Sequence, residues 1–388
     1  MINRQLEDEL NSLKNEFPII AILGPRQSGK TTISQKVFPD YEYVTLEDID
    51  YREFAKNDPR GFLDRYKENI ILDEIQRVPT LMSYLQSHVD KLKTNGKIVI
   101  TGSHNFLLME QISQSLAGRI GITKLLPFSY KEISKVENDI TELIFKGSYP
   151  RIYDQNIRPE VFYKNYISTY IEKDIRQIKQ ITKIDDFLKF IRILAGRTGQ
   201  ELNTNSISEE CGVSHNTIKE WISLLEASFI VYRLKSFHKN YNKRIVKNPK
   251  IYFTDTGLVC SLLGIRKKEE IDYHFLKGSI FETYIINEFQ KYNFNYGEKY
   301  ELYFWRDNNK KEIDLILDLG MYQKAFEIKS SKTINEKFFD TLKYWQKLTE
   351  INPKELYLIY GGNENHIRNN INVLSWNNIF DGIIKTVV

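Results

Sequence analysis

Two groups of residues in this chain have the types and the spacing to do chemistry. The first is GPRQSGKTT, residues 24–32, which fits G-x-x-x-x-G-K-[ST] at Gly24, Gly29, Lys30 and Thr31. Glycines there let backbone N–H groups curl around phosphate oxygens, the lysine reaches the β and γ phosphates of ATP, and the next hydroxyl takes a Mg²⁺ position. Gly24, Pro25, Arg26, Gln27, Ser28 and Gly29, with Lys30, Thr31 and Thr32, therefore read as a nucleotide cradle. The second group lies far downstream in EIDLILDLGMYQKAFEIKS, where one hairpin could bring Asp314 beside Glu327 and Lys329.

The cradle has companions suited to turnover. NIILDE ends in Asp73 and Glu74; in such a site the first acid holds Mg²⁺, usually through water, and the second polarises the attacking water. The stretch TGSHN offers Ser103, His104 or Asn105 beside the γ-phosphate, to orient water or sense hydrolysis. Arg119 in SLAGR is a candidate finger for a neighbouring subunit's nucleotide, which would require a homo-oligomer.

These residues need elements to position them. The runs PIIAIL, YEYVTL, NIILDE and KIVITGS read as buried strands, and the stretch between Val78 and Asn95 has helical period, so an α/β layout with a parallel sheet is expected. The phosphate loop then follows a strand and opens a helix. Residues 130–200 read as helical, and the aromatic spacing in VFYKNYISTYIEKDIRQI and DDFLKFIRILAGRTG predicts a face packed into a core.

Beyond Gln200, LNTNSISEECGVSHNTIKEWISLLEASFIVYRL has the layout of a helix-turn-helix with its turn at Gly212. Ser214, Asn216, Thr217, Lys219 and Glu220 fall in the early turns of its second helix, where base or phosphate contacts arise. Strands in IVYRLKSF and KIYFTD would form a wing, so this part resembles winged-helix domains. No acid occurs between Glu226 and Asp255, while Arg233, Lys235, Lys239, Lys243, Arg244, Lys247 and Lys250 do, among Tyr232, Phe237 and Tyr241. That basic segment, 232–250, predicts DNA as a partner, through phosphate contacts and stacking on exposed bases.

Composition sets bounds. At 388 residues the chain exceeds one ordinary core, and 41% hydrophobic with 27% charged residues is too apolar for a disordered chain. The net charge of +4 is too small to indicate a partner by itself. Cys211 and Cys260 stand far apart, which argues against a disulfide framework or a zinc knuckle. With no basic-then-apolar leader and no membrane-length apolar run, a cytoplasmic protein without a membrane partner is expected.

GPRQSGKTT, LDEIQRVP, ITGSHN, SLAGRI and LPFSYKEI, in this order, resemble a prokaryotic family of AAA-type ATPases whose C-terminal half carries the domain of unknown function DUF4143. YIEKDI, LAGRTGQELN, NPKIYFTDTGL, GSIFE and YFWRD continue the pattern, so the resemblance spans nearly the whole chain. It implies an ATPase fused to a DNA-handling module. Four segments are expected: an ATPase domain over 1–130, a helical lid and linker over 131–200, a winged helix over 201–255 and a terminal α/β domain over 256–388.

The terminal order α, β, β, β, α, β resembles the restriction-endonuclease-like core. In that fold one strand supplies Asp, the next Glu-x-Lys, and the first helix often a further Glu; here the matching residues are Asp314, Glu327, Lys329 and Glu282. Strand alternation puts Glu327 and Lys329 on one face. Grouped carboxylates are costly unless a divalent cation neutralises them, so Asp314, Glu327 and Glu282 would hold Mg²⁺ with Lys329 beside the nucleophile, for phosphodiester hydrolysis. Taken singly, each of the four would be a strand end, a solvated face or a helix acid favoured by the dipole. A second reading keeps the ATPase as a switch in signalling, defence or toxin-linked regulation and leaves the terminal fold to bind DNA or a partner without cutting.

Overall fold

Short apolar runs that bury both faces suit a parallel sheet covered by helices, and five of them form one. β1 (Ile19–Leu23), β2 (Glu42–Thr45), β3 (Ile70–Asp73), β4 (Ile98–Gly102) and β5 (Ile120–Lys124) pair in parallel in the order β2-β3-β4-β1-β5. The structure, a computed structural model, describes residues 2–103, 115–175, 184–237 and 248–383. Strand alternation divides β1 between two cores. Ile20 and Ile22 pack with Leu6, Leu10 and Ile33 from the helices Glu7–Glu16 and Lys30–Val37 and their flanks; Ile19, Ala21 and Leu23 pack with Phe62, Leu81 and Leu85 from helices on the opposite face. Because β4 lies between β1 and β3, the loops leaving all three open at one carboxyl edge, the place where parallel sheets bind ligands. Four of these strands match the runs read from sequence; β5 does not, its IGITK breaking the apolar run with Gly, Thr and Lys.

The second sheet has nine strands. β6 (Gln200–Glu201), β7 (Val231–Ser236), β8 (Lys250–Phe253), β9 (Glu301–Arg306), β10 (Glu312–Asp318), β11 (Gln323–Lys329), β12 (Leu356–Tyr360), β13 (His366–Arg368) and β14 (Ile371–Ser375) run in the order β13-β14-β12-β11-β10-β9-β7-β8-β6. β7 pairs with β9 in parallel at Lys235–Tyr303 and Ser236–Phe304, so β7 and β8, expected as a separate wing, and the terminal strands belong to one sheet across residue 255. The helix Lys277–Asn295, then β9, β10 and β11, the helix Asp340–Thr349 and β12 follow the expected order, to which the structure adds β13 and β14.

Phe289 of the Lys277–Asn295 helix packs on Phe326 of β11, while Trp345 of the Asp340–Thr349 helix packs on Trp305 of β9, so a helix covers each face. The aromatic stripe of the middle segment is core, as its spacing predicts. Phe162, Tyr163, Tyr166, Tyr170, Phe187 and Phe190 are all buried in one cluster that also holds Ile285 and Phe289. The helix-turn-helix forms as Thr204–Cys211 and His215–Ala227, with Asn203 accepting from the Ser206 amide, Gly212 closing the first helix at φ 74°, and Ser214 accepting from the Thr217 amide. Each cap satisfies helix-end groups that would otherwise lack partners.

Candidate nucleotide site and terminal acid cluster

The phosphate loop leaves β1 at the carboxyl edge, where a Cβ on Gly24 would lie 2.1 Å from the Leu125 carbonyl oxygen, so only glycine fits. Gln27 at φ 63° and Gly29 at φ 95° turn the loop into the N-terminus of the Lys30–Val37 helix. Lys30 is buried and its ammonium donates to the Gly24 and Pro25 carbonyls at 3.0 and 2.9 Å. Burial lowers its pKa, with Glu74 and Asp73 opposing that effect.

The strand order brings the acids to this lysine. Thr31 Oγ1 donates to the Asp73 carboxylate, 3.2 Å from each oxygen, and the Tyr43 hydroxyl donates to Asp73 Oδ2 at 2.7 Å. Thr101, on β4, also donates to Asp73. Glu74 takes the left-handed conformation, φ 56°, and its Oε2 accepts from Ser103 Oγ at 3.0 Å and from Gln76. Thr31 and Asp73 thus form an oxygen donor pair suited to Mg²⁺, which binds through one or two carboxylates plus water and phosphate. Of the three candidates in TGSHN, Ser103 touches Glu74; His104 and Asn105 lie outside the described residues. Tyr43, Thr101 and Gln76, not singled out by the sequence reading, complete the site. Their signal is topological: they leave neighbouring strands at one level.

Arg119 sits at the other end of the sheet. Its carbonyl accepts from Ile19, at the start of β1, and its guanidinium grips Asp90 at 2.7 and 3.0 Å. It cannot serve the nucleotide site of its own chain, so a finger role requires another subunit and release from Asp90.

In the terminal sheet, Lys329 Nζ lies 2.5 Å from Glu327 and 3.7 Å from Asp314. A register shift in β10 between Ile313 and Ile316 frees Asp314 from the ladder, and its Oδ2 accepts from the Ile328 amide at 2.7 Å. Burial, and then Asp314, push the Glu327 carboxyl up to about 8; Lys329 stays charged because Asp314 and Glu327 outweigh its burial. Glu282 goes elsewhere. It accepts from Lys250 at 3.0 Å and Tyr252 at 2.6 Å, and Lys250 also meets Glu312 at 2.5 Å. Burial raises Glu282 to about 7, against the pull of Lys250.

Among the described residues no three His, Cys, Asp or Glu side chains gather closely enough to hold a metal. The expected three-acid set is therefore corrected: a buried lysine from β8 withdraws Glu282, leaving the pair Asp314 and Glu327. That pair fits a hydrated Mg²⁺, which needs few protein carboxylates, and Glu327 Oε2 is buried without a hydrogen-bond partner.

Family models match three successive segments of the chain. Residues 16–134 match the family described as AAA domain, residues 137–269 the domain of unknown function DUF8612, and residues 277–379 the domain of unknown function DUF4143. The chain carries an AAA domain and a DUF4143 domain. An uncharacterized protein of Mycobacterium tuberculosis is 27% identical over 335 residues, covering 85% of this chain and 74% of that one. Another, from Methanocaldococcus jannaschii, is 25% identical over 376 residues, covering 85% and 80%. Among solved structures, the Walker-type ATPase of Pyrococcus abyssi aligns at 14% identity and TM-score 0.46, over 68% of this chain and 96% of that one.

Between the AAA and DUF4143 domains, the basic segment is only partly what its composition suggests. Lys250 is buried in ion pairs with Glu282 and Glu312, and Arg233 is held by both oxygens of Glu226. Tyr232 stacks on Tyr252 and donates to Asn287, and Phe237 is core. Lys250 and Phe237 are enclosed and Tyr232 is half-buried under its partners, whereas Arg233 stays exposed in its pair with Glu226. Lys235 is exposed; Lys239, Tyr241, Lys243, Arg244 and Lys247 lie outside the described residues. On the second helix of the pair, Ser214, Asn216, Lys219 and Glu220 are exposed, and Thr217 is half-buried. Cys211 and Cys260 are buried free thiols, as expected. Among the described residues no helix is long and apolar enough to cross a membrane.

Proposed function

We propose that the AAA domain hydrolyses ATP to switch a DNA-binding unit built from the helix-turn-helix Thr204–Ala227 and the β7–β8 wing. The observation that carries the hydrolytic part is Glu74, held by Ser103 and Gln76 beside the Lys30, Thr31 and Asp73 cluster. Lys30 exchanges two loop carbonyls for phosphate oxygens. Thr31 and Asp73 hold Mg²⁺, which when bound neutralises phosphate charge. Glu74 accepts the proton of the attacking water, and its two hydrogen bonds set the direction from which it does so. Support for the DNA part is the exposed row Ser214, Asn216, Lys219 and Glu220 on a capped second helix, together with the exposed Lys235 of β7. Duplex binding measured with ADP and with a non-hydrolysable ATP analogue tests it. Equal affinity in both states, or no affinity in either, rules the switch out.

A second reading, a Mg²⁺-dependent nuclease in the DUF4143 domain, is favoured by one feature: Glu327 Oε2 is buried without a partner, while its Oε1 meets the Lys329 ammonium, which also pairs with Asp314. In it Asp314 and Glu327 bind the cation and Lys329 steadies the nucleophile. Plasmid, single-stranded and branched DNA incubated with Mg²⁺ or Mn²⁺, with and without ATP, decide the matter. Cleavage that survives Glu327→Ala, or no cleavage by wild type, removes this reading and leaves a binding module.

A further inference from the structure

Arg4 stands outside every motif of the nucleotide site, yet its side chain, 7% exposed, is built into the back of the phosphate loop. Nη1 donates to the Ser28 carbonyl at 2.7 Å, Nη2 to the Leu126 carbonyl at 2.7 Å, and Nε to Glu132 Oε1 at 3.1 Å. The guanidinium carbon lies 4.8 Å from the Phe128 ring centroid. Three donors thus join three segments: the loop, the exit of β5 and the helix Tyr130–Ile133. Glu132 is itself fixed, its side chain 1% exposed and its Oε2 accepting from the Ser129 amide at 2.8 Å.

Holding the Ser28 carbonyl has a geometric consequence. Among the described residues there is no cis peptide bond, and in a trans peptide the carbonyl and the next N–H point opposite ways. A Ser28 carbonyl turned outward to Arg4 therefore turns the Gly29 N–H inward, to the concave side of the loop where anions bind. Glycine at 29, at φ 95°, permits that orientation but does not enforce it, since glycine has many conformations open to it. Because Glu132 neutralises the guanidinium at 3.1 Å, Arg4 acts by direction and not by adding charge.

We propose that Arg4 is a positioning residue of the nucleotide site, presenting the Gly29 amide to the phosphates by anchoring the Ser28 carbonyl. The proposal rests on the ATP-binding reading of the loop. Removing a charge-assisted hydrogen bond of this kind is worth about a factor of ten or more in affinity. Phosphate binding is made alike in the ground and transition states, so the loss falls on KM more than on kcat.

The test is calorimetric binding of ATP and of inorganic tripolyphosphate to the full chain, with steady-state turnover, for wild type, Arg4→Ala and Arg4→Lys. The expected result is a dissociation constant about tenfold weaker for both ligands in each variant, KM raised by the same factor, kcat within about threefold, and partial recovery of Arg4→Ala with added guanidinium. Arg4→Lys keeps the charge and the bulk but not the three-way fork, so it serves if Arg4→Ala does not fold. A folded variant that binds both ligands like wild type overturns the role of Arg4. Wild type that binds neither ligand overturns the nucleotide reading itself.

Discussion

Arg26 of the phosphate loop lies over the ring of Tyr170, its guanidinium carbon 5.4 Å from the ring centroid, and the Tyr170 hydroxyl donates to the Ser228 carbonyl at 3.4 Å. Ser228 is the residue at which the helix His215–Ala227 ends, and the next residue, Phe229, is buried in the core of the AAA domain. One tyrosine therefore touches both the nucleotide loop and the end of the helix whose other end carries the exposed polar row. A cation–π contact of this sort is worth about 1 kcal/mol, or roughly a fivefold change in an equilibrium. Tyr170→Leu, which keeps bulk but loses ring and hydroxyl, is expected to reduce the difference in DNA affinity between ADP and ATP-analogue states by about that factor, while steady-state ATPase rates change little. Fluorescence anisotropy with a labelled duplex measures the difference; an unaltered ratio disconnects Tyr170 from signalling.

Glu74 and Lys30 separate binding from turnover. Glu74→Gln keeps the hydrogen-bonding shape but cannot take a proton, so ATP should bind normally while turnover falls about 10²–10⁴-fold. Lys30→Ala should lose both, since the ammonium that leaves the Gly24 and Pro25 carbonyls is the one that meets phosphate. Phosphate release and nucleotide titration distinguish the two. A Glu74→Gln enzyme with wild-type turnover would assign water activation to another residue.

Lys250 is structural. Replacing it with Met leaves two half-buried acids, Glu282 and Glu312, without their shared cation; a fully buried ion pair that loses one partner costs about 3–5 kcal/mol, and the loss here approaches that from below. Denaturant unfolding should show that loss. Lys235→Ala, on the exposed side of β7, should leave stability within about 0.5 kcal/mol and weaken DNA binding instead. The reverse pattern would restore Lys250 as a phosphate contact.

Glu327 makes stability depend on pH. Its carboxyl is raised from the ordinary 4.5 to about 8, so between those values the folded chain holds a proton that the unfolded chain has released. Stability contributed by the protonated group is complete below pH 4.5 and declines as pH rises through that window. Glu282, raised to about 7, acts in the same direction. In metal-free buffer, Glu327→Gln should therefore flatten the fall in melting temperature between about pH 5.5 and 8.5 and exceed wild type at the alkaline end. Parallel curves for the two proteins would mean that Glu327 is charged throughout.

Much of the nucleotide site could be read from residue types because its parts are local. GPRQSGKTT specifies a strand exit, an amide cradle and a helix start within nine residues, and Asp73–Glu74 ends a run that is apolar up to the acids. The terminal acids were legible as residues but not as a set. Asp314, Glu327 and Lys329 meet on adjacent strands, where a two-residue period decides neighbours, whereas Glu282 lies on a helix and follows whichever cation packs against it. That cation, Lys250, belongs to a strand that looked like part of a basic wing. Composition alone cannot distinguish an exposed lysine from one enclosed by two glutamates.

The sequence by itself determined the α/β class, the cradle with its acids, the helix-turn-helix and the order of the terminal elements, since each rests on periodicity and turn chemistry within a few dozen residues. Tertiary structure decided what those parts share: one nine-stranded sheet across the wing and the DUF4143 domain, Lys250 taking Glu282 from Asp314 and Glu327, and Arg4 behind the Ser28 carbonyl. Burial and ion pairing act through space, and their partners here stand dozens of residues apart.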